Sequence, residues 1–236
     1  MPADDLAPGD GRCPRAATST SAAYEARASE YIDAVGSMAD VHPSDLRIVE
    51  TWASTVHGRV LDAGCGPGHW TAHLADLGLD IRGIDLVEGF LRHARAAHPG
   101  VRFDRVSIDD IDEDDGAIGG ILSWFSTIHH SPSALHVPLS EFARVLRPGG
   151  TLVVGFFSGT RVEGFDHAVT RAHRWPLEEL GTRLDAADFD VVETHLRTTR
   201  GARPVGTIVA ERRARAATGR ERANAAAPGK DDGVRA

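Results

Sequence analysis

The amino-acid sequence predicts an α/β fold with a doubly wound, mostly parallel sheet of seven strands, flanked by helices and completed by an antiparallel last strand. Three observations support this fold class. Short apolar runs alternate with amphipathic stretches between residues 21 and 213, as in strands joined by crossover helices. A glycine-rich turn follows the first apolar run. The length of 236 residues suits one such domain with a full core and is short of two.

The elements follow in order from the apolar periodicity and from the signals that end helices and strands. Two helices are expected first, over residues 22–35 and 44–56, with Ser44 as the N-cap of the second. The later helices are expected over residues 69–77, 87–97, 133–145 and 176–187. The seven strands are expected over residues 59–63, 80–85, 101–106, 118–123, 151–157, 190–196 and 206–212.

The two ends of the chain differ in composition from the region between them. Residues 1–20 are rich in Pro, Gly, Ser, Thr and Asp and have no apolar period, and residues 214–236 have the same character. Segments of this kind cannot bury enough apolar surface to fold. We therefore expect a disordered leader over residues 1–20, one folded domain over residues 21–213 and a disordered tail over residues 214–236.

Charge and composition argue against several classes of function. The net charge is −8 and Lys230 is the only lysine, whereas nucleic-acid-binding proteins usually carry a basic excess. No apolar run approaches the roughly 20 residues of a membrane span, and the N-terminus carries acids where a secretory signal carries bases. Cys13 and Cys65 are too few for a metal cluster or a disulfide framework. We expect a cytoplasmic protein with no nucleic-acid or membrane partner and no metal.

The strongest local signal is the run VLDAGCGPG at residues 60–68. Asp62 lies near the end of a buried strand, and the alternate glycines let the backbone turn sharply and approach a ligand. The dinucleotide fingerprint GxGxxG requires a glycine at its sixth position. Counted from Gly64 or from Gly66, that position is His69 or Thr71. The nicotinamide interpretation therefore fails, and a tight turn without a ligand is the other alternative.

Asp85 ends the second predicted strand, 19 positions beyond Gly66. A carboxylate at that place can accept hydrogen bonds from both ribose hydroxyls of a nucleoside. An aspartate after a strand is also often only the N-cap of the next helix. The glycine turn at this spacing favours the ligand role.

Four segments match the motifs of a known family in the same order. They are DAGCGPG at 62–68, IRGIDLVEGFLRHARAAHP at 81–99, ILSWFSTIHH at 121–130 and EFARVLRPGGTLVV at 141–154. On these motifs, residues 58–157 resemble the class I (Rossmann-like) methyltransferases that depend on S-adenosylmethionine (SAM), especially those acting on small molecules. The resemblance implies the Rossmann-like methyltransferase fold and SAM as cofactor. It also implies N-terminal lid helices over 22–56, a SAM-binding core over 58–157 and a substrate insert over 158–175.

The resemblance further implies roles for single residues. Asp62 and the backbone of the glycine turn would face the methionine part of SAM, Asp85 the ribose hydroxyls and Leu86 the adenine. The residues that the resemblance places at the cofactor are Asp62, Gly64, Cys65, Gly66, Gly68, Asp85, Leu86, Ser107, Ile108, Ser123 and Tyr24.

Two parts of this assignment are open. The family usually has an aspartate after the third strand that accepts from the adenine amino group, and Ser107 stands there instead. The Ile108 backbone can still serve the ring, but either Ser107 or Asp109 could meet the amino group. The stretch YEARASEY at residues 24–31 resembles the family's lid helix, with Tyr24, Arg27 or Tyr31 closing over the cofactor; simple packing of an amphipathic helix is the alternative.

Methyl transfer from SAM needs no protein nucleophile, because the sulfonium makes the methyl group electrophilic. A general base is needed only if the acceptor must lose a proton. His129, after the fourth strand, is the candidate for that base or for substrate positioning, and a structural hydrogen bond to the neighbouring loop is the alternative. His130 must point elsewhere. The candidates for substrate contact are Trp124, Phe125, His167 and Trp175, with Arg161, Arg171 or Arg203 as partners for a substrate carboxylate.

The sequence thus predicts a SAM-dependent methyltransferase that moves a methyl group to an N, O or C atom of a small-molecule acceptor. A methyltransferase-fold enzyme that catalyses cyclisation or rearrangement is one alternative. A non-catalytic SAM-binding partner is another. The identity of the acceptor and the oligomeric state, monomer or homodimer, are not determined by the sequence.

Overall fold

A nine-stranded sheet forms the centre of the molecule in the computed structural model, which describes residues 19–214. The strands are β1 (Val60–Ala63), β2 (Ile81–Asp85), β3 (Arg102–Arg105), β4 (Ile118–Trp124), β5 (Leu146–Ser158), β6 (Glu163–Phe165), β7 (Ala172–Trp175), β8 (Phe189–Arg197) and β9 (Val205–Arg212). The helices are α1 (Ser19–Glu25), α2 (Ala28–Val35), α3 (Pro43–Ala53), α4 (His69–Asp76), α5 (Glu88–Ala97), α6 (His136–Val145) and α7 (Leu177–Ala186), with a 3₁₀ turn at Met38–Asp40. None of the helices within residues 19–214 is long and apolar enough to cross a membrane.

Five parallel strands form the main part of the sheet, in the order β3-β2-β1-β4-β5. Strand β9 runs antiparallel to β5, and β8 pairs with β9 alone. The strand order reverses between β1 and β4, and open α/β sheets bind ligands in the crevice at such a point. The predicted doubly wound, mostly parallel sheet with an antiparallel last strand is confirmed.

The sheet has two strands more than the seven predicted. Residues 158–175, expected as an irregular insert, contain the antiparallel hairpin of β6 and β7. Phe157 of β5 pairs with Arg174 of β7 and, on its other edge, with Val205 of β9. Strand β4 pairs with the same edge of β5 as β7 does, but only as far as Trp124. The hairpin therefore continues the sheet along the edge of β5 beyond the end of β4.

The first predicted helix is broken in two. Arg27 has a non-helical backbone (φ −125°, ψ 20°) and separates α1 from α2. Ser19 and Thr20, expected in the disordered leader, belong to α1. The rest of the predicted leader and almost all of the predicted tail lie outside the described residues.

Helix α3 begins slightly before its predicted start. His42 rather than Ser44 is the N-cap, and its side chain accepts a hydrogen bond from the Ser44 N–H. Pro43 takes the first helical position, where its missing N–H costs nothing. Helix α6 begins at His136, later than predicted, because residues 131–135 form a turn.

Helices cover both faces of the sheet. Phe142 of α6 and Leu184 of α7 are fully buried on one face. Trp52 of α3 and Leu74 of α4 are buried on the other. A large apolar side chain contributes roughly 1.5–3 kcal/mol when it is fully buried. These two layers hold the strands, and the loops at the carboxyl ends of the strands are thereby held in fixed relative positions.

Residues 106–117 connect β3 to β4 without a helix, and ionic and backbone hydrogen bonds hold them in place. Arg144 of α6 donates to the carbonyls of Ile111 and Glu113, each at 2.7 Å. Glu141 accepts from the Ile111 N–H at 2.9 Å. Arg82 of β2 pairs with the Glu113 carboxylate at 2.9 Å. Because Glu141 and Arg144 lie one helical turn apart, α6 clamps this connection from one side.

Candidate functional site

A cavity of about 340 Å³ opens at the carboxyl ends of β1, β2 and β4. Its walls come from the glycine turn after β1, the start of α5 after β2, residues 106–109 after β3, residues 124–134 after β4, and helices α1 and α2. Pockets for small molecules are typically about 300–1,000 Å³. The cavity is thus large enough for one cofactor-sized ligand, and it lies where the strand order reverses.

The glycine turn brings the backbone against the cavity. Gly64, Gly66 and Gly68 have φ values of +80°, +54° and +88°, which L side chains rarely adopt. A Cβ at Gly64 would collide with Ser126, and one at Gly68 would lie 2.7 Å from the Ala94 Cβ. A Cβ at Gly66, which lines the cavity, would meet no protein atom within 4 Å. Gly64 and Gly68 therefore permit close packing, whereas Gly66 leaves room for a ligand.

The Asp85 carboxylate lies at the end of β2 and lines the cavity. It accepts hydrogen bonds from the Gly66 N–H at 2.9 Å and from the Val87 N–H at 2.8 Å. Burial raises the pKa of Asp85, and the backbone hydrogen bonds oppose that shift. Each carboxylate oxygen keeps a further lone pair. Asp85 can therefore hold the turn and accept hydrogen bonds from a ligand at the same time.

Asp62 and Cys65 lie behind the turn instead of lining the cavity. Asp62 is fully buried and accepts a hydrogen bond of 2.6 Å from the Thr71 hydroxyl. Burial raises the pKa of Asp62 to about 7, while the Thr71 hydrogen bond opposes the shift and the nearby Asp85 adds to it. Burial likewise raises the pKa of the Cys65 thiol. Both side chains support the turn from within the core.

One side of the cavity is apolar and ends in polar groups. Leu86 and Ile108 line it together with Ser107 and Asp109. The Ser107 hydroxyl accepts from the Asp109 N–H at 3.2 Å, and the Asp109 carboxylate is 2.9 Å from His130 Nε2. Both alternatives for the adenine amino group thus lie at the same end of the cavity. Among residues 19–214, no group of three or more His, Cys, Asp or Glu side chains is arranged to hold a metal ion.

Tyr24 and His129 meet at the cavity. The Tyr24 hydroxyl of α1 is 2.8 Å from His129 Nε2, and His129 Nδ1 is 2.8 Å from the Arg171 carbonyl. Because a carbonyl only accepts, Nδ1 carries the proton and Nε2 accepts from the tyrosine. Burial lowers the pKa of His129. Burial also raises the pKa of Tyr24. Both side chains are therefore uncharged at neutral pH.

Side chains of α1 and α2 attach these helices to their surroundings. Glu25 accepts a hydrogen bond from the Gly89 N–H of α5 at 3.0 Å. Arg27 donates to the Ala168 carbonyl in the segment between β6 and β7. The Tyr31 ring, which also lines the cavity, packs against Phe90 and Tyr24 with centroids 5.2 and 5.3 Å away. The two helices thus bridge α5 and the insert.

Several predicted site residues lie outside the cavity lining: Asp62, Cys65, Gly68, Ser123, His167 and Trp175. Ser123 is buried in β4, with its hydroxyl 2.8 Å from that of Ser126. Trp175 is only 3% exposed and belongs to the core. The His167 ring lies 5.7 Å from the His129 ring. Trp124 and Phe125 do line the cavity.

Other lining residues were not foreseen from the sequence, among them Val87, Phe90, Ser126 and Ser131. Val87 and Phe90 lie on the apolar side of the α5 region together with Leu91. Their helical spacing from Leu86 is a sequence signal that predicts this shared side. Ser126 and Ser131 lie in the irregular segment after β4, where no periodicity marks one side as facing a cavity.

These features can be compared with known families. The doubly wound sheet, the glycine turn after β1, the carboxylate at the end of β2 and the EFARVLRPGG stretch leading into β5 are the features on which the resemblance to class I SAM-dependent methyltransferases rests. Comparison with known families agrees, because residues 60–150 match the family model described as a methyltransferase domain. Residues 60–150 are therefore similar to a methyltransferase domain.

A curated relative is also named as a methyltransferase. A probable S-adenosylmethionine-dependent methyltransferase of Mycolicibacterium smegmatis is 31% identical over 138 residues, which are 57% of this chain and 53% of that protein. The chain spans about half the length of the curated relatives it matches.

Two solved structures share the fold at low sequence identity. One is the 1,6-didemethyltoxoflavin-N1-methyltransferase of Burkholderia thailandensis, determined with 1,6-didemethyltoxoflavin and S-adenosylhomocysteine bound. It is 23% identical with a TM-score of 0.62, over 86% of this chain and 93% of that one. The other is the (4+2)-cyclase SpnF, 19% identical with a TM-score of 0.67, over 85% of this chain and 98% of that one.

Proposed function

We propose that this chain binds SAM in the cavity and transfers its methyl group to an N, O or C atom of a small-molecule acceptor. The observation that carries the proposal is the joining of Asp85 to the glycine turn, through the 2.9 Å hydrogen bond from the Gly66 N–H. This bond places a carboxylate and an open stretch of backbone on the same cavity, at the point where the strand order reverses.

The groups around the cavity suit SAM chemically. The space beside Gly66 would be filled by any Cβ, so the missing side chain leaves the backbone open to a ligand. Asp85 offers its remaining lone pairs to a pair of ribose hydroxyls. Leu86 offers an apolar surface to an adenine ring, and Ser107 or Asp109 offers an acceptor to its amino group. A carboxylate, an apolar wall and a second acceptor are what a nucleoside requires.

The predicted cofactor residues fall into two groups, those that line the cavity and those that lie behind it. Those that line the cavity would contact SAM directly: Gly64, Gly66, Asp85, Leu86, Ser107, Ile108 and Tyr24. Asp62, Cys65, Gly68 and Ser123 would act from behind, by holding the turn and the end of β4 in place.

SAM, when bound, supplies a methyl group made electrophilic by its sulfonium. The chain's own part is to position the acceptor and to exclude water. His129 is a neutral imidazole at the cavity, and its Nε2 is the basic nitrogen. An acceptor hydroxyl can pass its proton to the Tyr24 oxygen while the Tyr24 proton moves to His129 Nε2, so that no charge is left on the tyrosine. We propose His129 as the base for an acceptor of this kind.

Calorimetric titration with SAM and with S-adenosylhomocysteine tests the binding. We expect dissociation constants in the micromolar range for the wild type, equivalent to about −7 to −8 kcal/mol. Asp85→Ala should weaken binding at least about 30-fold, because two hydrogen bonds to a charged acceptor are lost. Asp76→Ala, an exposed aspartate at the end of α4, is the matched control and should bind like the wild type. Absence of heat with both ligands for folded wild-type protein would refute the proposal.

Transfer is tested separately from binding. Methyl-labelled SAM is incubated with the protein and a metabolite extract, and label is expected in a product that is absent without protein. The fold likeness to the cyclase SpnF gives the rearranging enzyme its support as a second candidate. Binding of SAM with no label in any product would favour that candidate or a non-catalytic SAM-binding partner over the transferase.

The class of acceptor and the cellular location are also part of the proposal. The net charge of −8 favours a small-molecule acceptor over a nucleic acid. A cytoplasmic location is part of the proposal, and recovery of the native protein in a membrane or secreted fraction would contradict it.

A further inference from the structure

A cluster of aromatic rings adjoins the cavity at the carboxyl ends of β4 and β5. We call Phe125, Phe157, Phe165 and His167 the aromatic cluster. Phe125 lines the cavity and packs on Phe157 with centroids 4.8 Å apart. Phe157 packs in turn on Phe165 at 5.3 Å and on His167 at 5.6 Å. None of the four side chains is fully buried. The rings therefore form a wall that leads outward from the cavity and keeps part of its surface accessible.

Arginine side chains lie over this wall. The Arg203 guanidinium, from the loop between β8 and β9, is 5.0 Å from the Phe165 ring centroid and 5.9 Å from that of Phe157. Arg174 lies over Phe165 at 4.7 Å and pairs with Glu163 at 3.3 Å. Arg203 is exposed and forms no ion pair with a carboxylate within residues 19–214. A guanidinium that rests on a ring face keeps the N–H groups along its edge free for a planar anion.

A polar atom in the cluster also lacks a partner. His167 Nδ1 is buried and has no hydrogen-bond partner in the described part of the chain. Burial, followed by the nearby His129 and Arg203, lowers the pKa of His167. The ring is therefore neutral at physiological pH. A buried polar atom without a hydrogen bond is costly, and the cost is relieved when a bound molecule supplies the partner.

We infer that the acceptor is a planar aromatic compound carrying an anionic group, such as a carboxylate, with its ring against the aromatic cluster and its anion on Arg203. This inference rests on the proposed function and names the substrate class of that site. Aromatic walls favour a flat ring over a saturated one, because stacking adds to simple burial. The unpaired guanidinium favours an anion over its neutral counterpart, because its local attraction outweighs the screened repulsion from a chain of net charge −8.

Three probes of similar size test this class: salicylate, salicylamide, which replaces the anion by a neutral amide, and 2-hydroxycyclohexanecarboxylate, which keeps the anion and the hydroxyl without the aromatic ring. Binding is measured by calorimetry or ligand-observed NMR with S-adenosylhomocysteine at saturation. Salicylate is expected to bind about five- to tenfold more tightly than either of the others. Equal affinities, or no binding of salicylate at millimolar concentration, would overturn the inference.

Two variants test whether Arg203 causes the preference for the anionic probe. Arg203→Gln should abolish the preference for salicylate over salicylamide and leave the binding of S-adenosylhomocysteine unchanged. Arg200→Gln removes an exposed arginine of the same loop that lies over no aromatic ring within residues 19–214, and it should keep the preference. A preference that survives Arg203→Gln would overturn the assignment. Wild-type protein that does not bind S-adenosylhomocysteine refutes the proposed function, whereas intact binding without anion preference refutes only the substrate class.

Discussion

The middle glycine of the turn gives the most direct test of where the ligand lies. Gly66 has a φ of +54°, and a Cβ there would have no protein atom within 4 Å. The substitution Gly66→Ala therefore strains the backbone by about 1–2 kcal/mol without overpacking. Alanine also restricts the unfolded chain, which returns about 0.4–1 kcal/mol. The net loss of stability should be about 1 kcal/mol, or roughly 2–4 °C in Tm for a domain of this size.

Gly66→Ala should also weaken ligand binding, which its stability cost does not explain. The added methyl group of Gly66→Ala stands in the cavity, where a ligand must approach the backbone. We expect the affinity for S-adenosylhomocysteine to fall by at least about tenfold, equivalent to about 1.4 kcal/mol. Gly58→Ala is the matched control: its φ is +88° and its Cβ would also meet nothing within 4 Å, but it does not line the cavity. It should cost similar stability and leave binding unchanged.

Gly68→Ala, at the last glycine of the turn, should mainly lower the stability of the fold. A Cβ at Gly68 would lie 2.7 Å from the Ala94 Cβ and 2.8 Å from a Phe103 ring carbon, far inside van der Waals contact. Backbone strain and overpacking together should cost about 2–5 kcal/mol. Thermal unfolding without ligand and calorimetry at a temperature where each variant is folded separate the two effects. If Gly66→Ala binds within twofold of the wild type, or loses as much stability as Gly68→Ala, the reasoning is refuted.

Three further results are expected. Arg144→Met should lower the free energy of unfolding by about 2–4 kcal/mol in urea titrations, because it removes the donor of two backbone carbonyls and of the largely buried Glu141 carboxylate. Arg147→Met removes only a 3.4 Å contact and should change the free energy of unfolding by less than about 0.5 kcal/mol. Burial lowers the pKa of His69 from 6.5 to about 4, so the unfolded chain binds more protons in that window and stability falls as the pH drops from about 6.5 towards 4. His69→Asn should remove roughly 2–3 kcal/mol of that fall, and equal pH profiles for the variant and the wild type would contradict the pKa shift. His129→Gln should slow methyl transfer to a hydroxyl acceptor about 100-fold or more while S-adenosylhomocysteine binds within threefold; equal losses in binding and rate would indicate a purely structural histidine.

The parallel part of the fold could be predicted because its signals are local. Strands β1, β4 and β5 contain runs of mostly apolar residues, and helix α4 ends at a recognisable signal, Gly78 (φ +92°). The break at Arg27 had no such signal, since neither glycine nor proline stands there. The hairpin of β6 and β7 escaped prediction because its strands have three and four residues, too few to establish a period of two.

The candidate site, too, could be predicted where its signals are local and not where its contacts join distant parts of the chain. The positions of Gly66 and Asp85 on the cavity follow from a motif in which every member lies next to a strand end. The partner of His129 could not be foreseen, because Tyr24 lies 105 residues away in the chain and comes near only through the packing of α1. The ring contacts of Arg203 are of the same non-local kind, so the sequence could list several arginines without choosing among them.

The attachment of the hairpin to β5 differs in kind from the attachment of the first two helices. Main-chain hydrogen bonds tie β7 to β5, and β5 belongs to the same sheet that forms the floor of the cavity. Helices α1 and α2 adhere through a few side chains, chiefly Glu25, Arg27 and Tyr24. Such contacts open at far lower free energy than a sheet does. We therefore expect ligands to enter and leave past the first two helices, and weakening those few side-chain contacts should shorten the residence time of a bound ligand.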